Sequence, residues 1–162
     1  MIMERAVDTL KVVFLDIDGV LNSRQYDLSR GDNEGNIDIS RLSLIKQLVS
    51  CTGAQIVLTS TWRIHWDPNV EKTDSIGEEM EEIFLRNGIS LYDKTPEIND
   101  DRAKEIKSWL EIHPDVVNFV IIDDMKFGWG EFEANVVKTD YRIGRGLEMQ
   151  HVKTAIKLLS GI

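Results

Sequence analysis

The chain has 162 residues, of which 42% are hydrophobic and 29% are charged. This composition is that of an ordinary globular protein and predicts one domain over residues 1–162. The net charge of −9 argues against diffuse electrostatic binding to nucleic acid by the molecule as a whole. One cysteine excludes an intrachain disulfide, and no apolar run approaches the roughly 20 residues that span a bilayer, so we expect a cytoplasmic protein with neither a signal peptide nor a membrane segment.

Two carboxylates follow the first predicted strand. Residues 12–15 form an apolar run, typical of a strand buried on both faces, and Asp16, Asp18 and Gly19 come directly after it. Side chains two residues apart in a strand point to the same side, so we expect both carboxylates to face one small volume. Their charges repel unless a cation, a shared proton or water lies between them. The end of a buried strand is also the usual place for a ligand site in an α/β protein.

A polar stretch and a helix separate this strand from the next. Residues 23–38 are rich in polar residues and glycine and predict a loop or a small hairpin flap. A helix is expected over about 40–53, from a serine of the N-cap type to a glycine that stops it. The second buried strand, at 55–58, is followed by Thr59 and Ser60, so hydroxyls occupy the place that carboxylates take after the first strand.

The remaining chain continues the alternation of strands and helices. Further helices are predicted at 78–86, from about 101 to 113 and at 147–159, and residues 64–76 are expected to be irregular. The five strands are expected near 11–16, 55–59, 89–92, 119–123 and 135–138. This alternation predicts an α/β fold in which helices cover both faces of a parallel sheet.

The predicted sheet brings the polar residues at the strand ends together. The fourth strand is the most apolar run of the chain and ends in Asp123 and Asp124. Because all carboxyl ends of a parallel sheet lie at one edge, we expect these acids to share a crevice with the polar residues that follow the first two strands.

The motifs at these strand ends resemble those of the haloacid dehalogenase (HAD) superfamily of phosphohydrolases. FLDIDGVLN at 14–22 is similar to the first motif of that superfamily, IVLTS at 56–60 to the second, and VIIDD at 120–124 to the acidic fourth. The third motif is a basic residue near a helix start, for which Arg102 fits and Lys104 is the substitute. The resemblance implies a three-layer sandwich around a Rossmann-like parallel sheet of about five strands in the order 5-4-1-2-3, without a separate cap domain.

The same resemblance assigns roles to the four acids. It implies that Mg²⁺ is bound by the side chains of Asp16 and Asp124 and by the backbone carbonyl of Asp18, with Asp123 binding directly or through water. Asp16 would be the nucleophile that forms an aspartyl-phosphate. Asp18 would protonate the leaving oxygen and then activate the water that hydrolyses the intermediate.

Five other side chains are candidates for contacting the substrate. By the resemblance, Thr59 would donate its hydroxyl to a phosphoryl oxygen, and Arg102 or Lys104 would meet the charge of the transferred group. Ser60 and Arg63 are the further predicted substrate contacts. Plainer alternatives exist, since the two hydroxyls are also typical helix caps, Arg102 is also typical of an exposed helix start, and Arg63 and the aromatic residues beside it also suit packing.

The identity of Asp18 indicates the reaction, and the lengths of the segments between the motifs indicate the size of the substrate. In the HAD superfamily an Asp at the position of Asp18 marks phosphatases and phosphotransferases, so the resemblance implies Mg²⁺-dependent hydrolysis of phosphomonoesters. About forty residues separate the first motif from the second and the second from the third, too few for a cap domain besides the core elements. We therefore expect an open site that suits large phosphorylated substrates, or else a lid that oligomer contacts complete. LTSTWR at 58–63 and DRAKEIKSWL at 101–110 are similar to a small capless group that includes domains attached to RNA-repair enzymes. Similarity to that group implies that the substrates are polynucleotide ends. The net charge of −9 argues against nucleic acid as a substrate without excluding it.

Two interpretations that place the chain in other classes of protein remain open. A phospho-acceptor receiver domain has a similar alternation and an acidic pocket, but it carries its acceptor Asp on a middle strand and its paired acids after the first. A catalytically idle module that binds phosphate or Mg²⁺ on a HAD scaffold would keep the same acids. Turnover of p-nitrophenyl phosphate with and without Mg²⁺ separates these readings from a phosphatase.

Overall fold

A five-stranded parallel sheet forms the centre of the molecule. The computed structural model describes residues 8–30 and 37–161. Within them the strands are β1 (Leu10–Leu15), β2 (Gln55–Leu58), β3 (Leu91–Lys94), β4 (Val116–Asp123) and β5 (Val136–Lys138). All neighbouring pairs are parallel and the spatial order is β3-β2-β1-β4-β5. The predicted order 5-4-1-2-3, read from the opposite edge, is confirmed.

Helices connect the strands. The described residues form α1 (Arg24–Ser29), α2 (Ile39–Thr52), α3 (Ser75–Arg86), α4 (Arg102–Glu111) and α5 (Met149–Ser160). Three short 3₁₀ segments lie at Thr61–His65, Val70–Lys72 and Gly130–Asn135. None of these helices is long and apolar enough to cross a membrane.

The central strand β1 is buried on both faces, as predicted. Val13 and Leu15 pack with one apolar cluster, to which α2, α3 and α5 contribute. Val12 and Phe14 point to the other face and pack with α4, where the rings of Phe14 and Trp109 meet edge to face at 5.4 Å. Successive side chains of a strand alternate between faces, so one six-residue strand anchors both helical layers. The three-layer sandwich is therefore confirmed.

The predicted flap at 23–38 was wrong in part. Residues 24–29 form α1 rather than a loop, and the Ser23 hydroxyl caps it by accepting from Tyr26 N at 3.2 Å. Residues 31–36 lie outside the described residues. In the described residues, the segments between β1 and β2 and between β2 and β3 contain helices and turns and no strand.

Aspartate caps and a helix stop account for three further differences in element bounds. Asp38, rather than Ser40, is the N-cap of α2. Asp74 caps α3 by accepting from the backbone N–H groups of residues 76 and 77 at 3.0 Å each, so α3 takes in residues predicted to be irregular. Ile89 donates its N–H to Phe84 O at 3.0 Å, which closes the end of α3, and β3 therefore begins two residues later than predicted.

Candidate active site

Sheet register aligns the residues that follow three strands. Leu15 of β1 pairs with Leu58 of β2 and with Ile122 of β4. The hydrogen bonds continue one residue further, since Asp16 N donates to Ile122 O and Thr59 N donates to Leu15 O, both at 3.0 Å. Asp16, Thr59 and the end of β4 therefore lie side by side at the carboxyl edge, where the sequence predicts a crevice.

Three carboxylates form a compact cluster at this edge. Asp16, Asp123 and Asp124 each offer an oxygen, and these oxygens lie within 4.8 Å of one another. Asp16 and Asp123 are buried and Asp124 is half-buried. Burial, and then the neighbouring charge of Asp123, raise the pKa of Asp16 to about 7. The same two causes raise the pKa of Asp124. Placing three anions so close in the interior is unfavourable without a cation.

The donor set fits Mg²⁺. Carboxylate and carbonyl oxygens are the ligands that this hard ion prefers, and an oxygen from each of three side chains within 4.8 Å is close enough to share one ion. The raised pKa values of Asp16 and Asp124 report the same need for positive charge.

Arg102 supplies part of that positive charge. Its Nη1 lies 3.1 Å from Asp16 Oδ2 and 2.6 Å from Asp123 Oδ2. It is the first residue of α4, which Asp101 caps by accepting from Lys104 N at 3.1 Å. Lys104 itself points to solvent, with 72% of its side chain exposed and its Nζ 3.3 Å from Asp101 Oδ2. Of the two candidates for the third motif, the structure brings Arg102 to the acids and leaves Lys104 outside.

Asp18 is exposed and is not part of this cluster, and two donors hold its side chain. Asn22 Nδ2 donates to Asp18 Oδ1 and Trp62 Nε1 donates to Asp18 Oδ2, both at 3.0 Å. Asn22 also accepts from Gly19 N at 2.9 Å through Oδ1, so one side chain bridges the turn after β1. The role of Asn22 was missed, although its place at the end of the first motif was a usable signal.

Gly19 lets β4 approach this turn closely. Its φ is +82°, and a Cβ at this position would lie 2.2 Å from Asp124 Oδ2. Thr139, after β5, donates its hydroxyl to Gly19 O at 2.6 Å and holds the turn from the other side. The glycine is thus needed both for the backbone conformation and for the place of the Asp124 carboxylate.

The two hydroxyl residues after β2 differ in their contacts. Ser60 caps the following 3₁₀ segment by accepting from Trp62 N at 3.2 Å, as the plainer alternative predicts. Thr59 is fully buried, and its Oγ1 has no hydrogen-bond partner in the described part of the chain. A buried hydroxyl without a partner is costly, so this oxygen is suited to a ligand.

Arg63 braces the end of β2 from the interior. It is only 4% exposed, and its Nη1 donates to Thr59 O at 2.7 Å and to Ser60 O at 3.1 Å. Its Nη2 forms a buried ion pair with Glu105 of α4 at 2.9 Å. These contacts indicate that Arg63 positions the Thr59 loop, and its direct contact with substrate stays a prediction.

Comparison with known proteins identifies a family. Residues 12–152 match the model of the family described as "HAD domain in Swiss Army Knife RNA repair proteins". Among solved structures, one similar chain is described as a HAD superfamily (subfamily III A) hydrolase from Legionella pneumophila. It is 17% identical, with 96% of this chain and 84% of that chain covered and a TM-score of 0.44. No curated protein matches significantly.

Proposed function

The chain belongs to the family of HAD domains of Swiss Army Knife RNA repair proteins, and from this premise we propose that it is a Mg²⁺-dependent phosphatase that hydrolyses phosphomonoesters through an aspartyl-phosphate. As a HAD-type hydrolase domain it requires an acidic nucleophile, a counter-charge and a phosphate pocket. The observation that carries the proposal is the cluster of Asp16, Asp123 and Asp124 with Arg102 at one strand edge, next to the unpartnered hydroxyl of Thr59.

The metal would be held by the Asp16 and Asp124 side chains and the Asp18 backbone carbonyl. Asp123 is the less available acid, because its Oδ1 accepts from Met125 N at 2.9 Å and its Oδ2 accepts from Arg102 at 2.6 Å. We therefore assign Asp123 to orienting Arg102 and to contacting the ion through water. Bound Mg²⁺ would offset the repulsion between the phosphoester and the attacking carboxylate.

The first chemical step transfers the phosphoryl group to Asp16. A carboxylate oxygen of Asp16 attacks phosphorus, the bond to the leaving oxygen breaks, and Asp18 gives that oxygen a proton. Arg102 binds the phosphoryl oxygens as negative charge spreads over them, and the Thr59 hydroxyl donates to one of them. Arg102 and Thr59 would contact the phosphate from the side of the buried acids. Asp18 is exposed, so the leaving group would depart on the solvent side.

The second step returns the enzyme to its starting state. Asp18, now a carboxylate, takes a proton from a water molecule that attacks the phosphorus of the aspartyl-phosphate. The phosphorus–oxygen bond to Asp16 breaks, and inorganic phosphate leaves. Because its oxygens accept from Asn22 and Trp62, the Asp18 side chain is held in one place for both steps.

We propose the end phosphate of a polynucleotide as the substrate. The RNA-repair context printed for the family supports this class. The absence of any strand between β1 and β2 or between β2 and β3 in the described part of the chain fits an open site that a large substrate can reach. We propose that the chain acts as one catalytic domain, in the cytoplasm.

The test is hydrolysis of p-nitrophenyl phosphate with and without Mg²⁺. We expect turnover that requires the ion and is abolished in Asp16→Asn. The matched control is Asp115→Asn, which makes the same change at an exposed residue just before β4, at the opposite edge of the sheet. A non-catalytic module that binds phosphate or Mg²⁺ would bind the ion without turnover, and that result would contradict the proposal.

A further inference from the structure

Five of the nine arginines of the chain lie in or beside one cavity next to the candidate active site, and two of them, Arg41 and Arg145, line it. They are Arg24, Arg30, Arg41, Arg142 and Arg145, called here the arginine surface. We propose that this surface binds the sugar-phosphate backbone of the nucleic acid strand whose terminal phosphate enters the site. The inference rests on the proposed function, because it concerns how a polynucleotide substrate of that site is held.

The cavity provides the chemistry for a sugar-phosphate chain. Its volume is 320 Å³, and its lining includes two guanidinium groups, one phenol and several hydroxyls: Arg41, Arg145, Tyr26, Ser23, Ser29 and Ser40. Guanidinium groups bind phosphates with paired hydrogen bonds, and hydroxyls suit ribose and phosphate oxygens.

The other three arginines lie next to this lining. The Arg30 guanidinium lies 5.8 Å from the centroid of the Tyr26 ring. Arg24 N donates to Tyr141 O at 2.8 Å, which places α1 beside the loop that carries Arg142. The arginine surface is therefore continuous from α1 to the loop after β5.

The arginine surface adjoins the turn that carries the catalytic acids. Ser23 lines the cavity and follows Asn22, whose side chain donates to Asp18 Oδ1 at 3.0 Å. Leu147, just after Arg145, donates its N–H to Val20 O at 2.8 Å. A nucleic acid strand bound to the arginine surface would therefore lie close to the phosphate that reacts.

The loop that presents Arg142 and Arg145 is fixed at both ends. At its start, Asp140 Oδ1 accepts from Arg142 N and Ile143 N at 2.8 Å each. At its end, Gly146 has φ +73°, and a Cβ there would lie 2.5 Å from Val20 O, so the loop packs directly on the turn after β1. A fixed loop does not have to be ordered on binding, which favours affinity.

The acids of this region are mostly engaged by neighbouring groups. Among the described residues, Asp38 lines the cavity itself, where it is the N-cap of α2 and lies 3.8 Å from Arg41 Nε. Glu148 is the N-cap residue of α5. Asp27 is buried and accepts from a tyrosine hydroxyl at 2.8 Å. Asp140 accepts from the backbone of its own loop and lies 3.4 Å from a lysine Nζ.

Three of the arginines remain available for a ligand. Arg24, Arg142 and Arg145 are exposed and form no ion pair with a described residue. In a chain of net charge −9, unpaired arginines gathered beside a phosphate site favour a ligand with several negative charges. A strand with a phosphate at every nucleotide has this charge, and a small phosphomonoester does not.

The test is binding of a fluorescein-labelled single-stranded RNA of about 12 nucleotides with a phosphate on its unlabelled end, made in both polarities. Anisotropy is measured in the Asp16→Asn background, so that no turnover is needed. The double change Arg142→Ala and Arg145→Ala is expected to weaken binding roughly tenfold, since exposed ion pairs are individually weak. It should flatten the slope of log affinity against log salt by about 1.4, or about 0.7 for each phosphate that an arginine no longer neutralises.

The matched control removes two lysines from α5. Lys153→Ala with Lys157→Ala makes the same change in net charge on exposed residues, and α5 ends near Asn118 at the opposite edge of the sheet. Affinity in this control is expected to stay within about twofold. Thermal unfolding of both double variants checks that the fold is intact.

Three outcomes would overturn the inference. One is an equal loss of affinity in both double variants, and another is an unchanged salt slope in the arginine variant. The third is a phosphopeptide of equal charge that binds as tightly and loses the same affinity, since this would assign the surface to acidic proteins. Because binding is measured without catalysis, a failed hydrolase assay leaves this result standing, and an active hydrolase with unaltered RNA binding contradicts the arginine surface alone.

Discussion

Trp62 Nε1 donates to Asp18 Oδ2 at 3.0 Å, across 44 positions of sequence. With Asn22 on the other oxygen, the indole holds the proposed acid in place. Trp62→Phe removes the donor and keeps an aromatic ring. We expect kcat to fall about tenfold, the scale of one hydrogen bond to a charged group.

The Trp62→Phe variant has a matched control in Trp66→Phe. The Trp66 Nε1 is buried and has no partner in the described part of the chain, so the same change there removes no hydrogen bond. Steady-state kinetics with an alkyl and an aryl phosphate provide the readout. The alkyl ester should suffer more in Trp62→Phe, because its leaving group needs the proton. Equal losses for the two esters would contradict a role through Asp18.

Substitutions of Arg102 and Lys104 are predicted to lower kcat by very different factors. Arg102→Ala removes the group that contacts Asp16 and Asp123, and we expect kcat to fall by about 10²–10³-fold, as for the loss of a donor to the transition state. Lys104→Ala removes an exposed side chain whose ion pair among the described residues is with Asp101, and it should change kcat by less than about twofold. The measurement is kcat of both variants at saturating Mg²⁺. A larger loss of kcat in Lys104→Ala than in Arg102→Ala would assign the third motif to Lys104.

Gly19→Ala tests the packing of the metal site. The new Cβ would lie 2.2 Å from Asp124 Oδ2, so the carboxylate must move and the affinity for Mg²⁺ should fall about tenfold or more. Gly53→Ala is the matched control, because Gly53 has a similar φ of +72° with nothing within 4 Å of the added Cβ. Both variants should lose stability, by about 1–2 kcal/mol for the left-handed backbone. Titration calorimetry should show weaker Mg²⁺ binding in Gly19→Ala alone, and equal binding in the two variants would contradict the account.

The raised pKa of Asp16 predicts a dependence of stability on pH. Its pKa of about 7 in the folded, metal-free protein lies above the ordinary value of 3.8. Between these values the folded state binds a proton that the unfolded chain does not, so the free energy of unfolding falls as pH rises and the penalty is complete above about 7. Asp16→Asn has no such charge, so the Tm of wild type minus that of the variant should become more negative from about pH 5 to pH 8 in EDTA.

Two controls accompany this pH series. The Tm difference between wild type and Asp115→Asn should stay constant. Adding Mg²⁺ should stabilise wild type more at pH 8 than at pH 5, because the ion binds the ionised carboxylates. A Tm difference between wild type and Asp16→Asn that does not change with pH would mean that the Asp16 carboxyl is not shifted.

The sheet and the acids were predictable from local sequence, and the contacts between them were not. Asp16, Thr59 and Asp123 each follow an apolar run, and parallel strands bring such ends to one edge, so periodicity was enough. The ion pair of Arg63 with Glu105 joins residues that each look like surface residues of their own segments. Only the packing of α4 beneath the β2 loop brings them together.

Short elements that depend on their caps were the other part of the structure that could not be predicted from the sequence. Residues 24–29 show no long apolar face, and α1 is determined by the Ser23 cap and its packing on the loop after β5. The arginine surface depends on the same packing, since its members are spread over more than 120 positions of sequence. The net charge of −9, which weighs against nucleic acid as a partner, does not report how charge is distributed on the folded surface.

The division of labour between Asp16 and Asp18 is the centre of the account. Asp18→Asn keeps the backbone carbonyl that would bind Mg²⁺ and loses the acid and base. We therefore expect turnover to fall by about 10²–10⁴-fold while the metal still binds, with a phosphoenzyme that persists longer than in wild type. Asp16→Asn loses the nucleophile and a metal ligand, so it should form no phosphoenzyme.

Rapid-quench labelling with a ³²P substrate and Mg²⁺ tests this most directly. Wild type and Asp18→Asn should retain acid-stable label on the protein, with the longer-lived label in Asp18→Asn, and Asp16→Asn should retain none. A labelled Asp16→Asn protein would place the nucleophile elsewhere, and wild-type turnover in Asp18→Asn would remove the general acid from the mechanism.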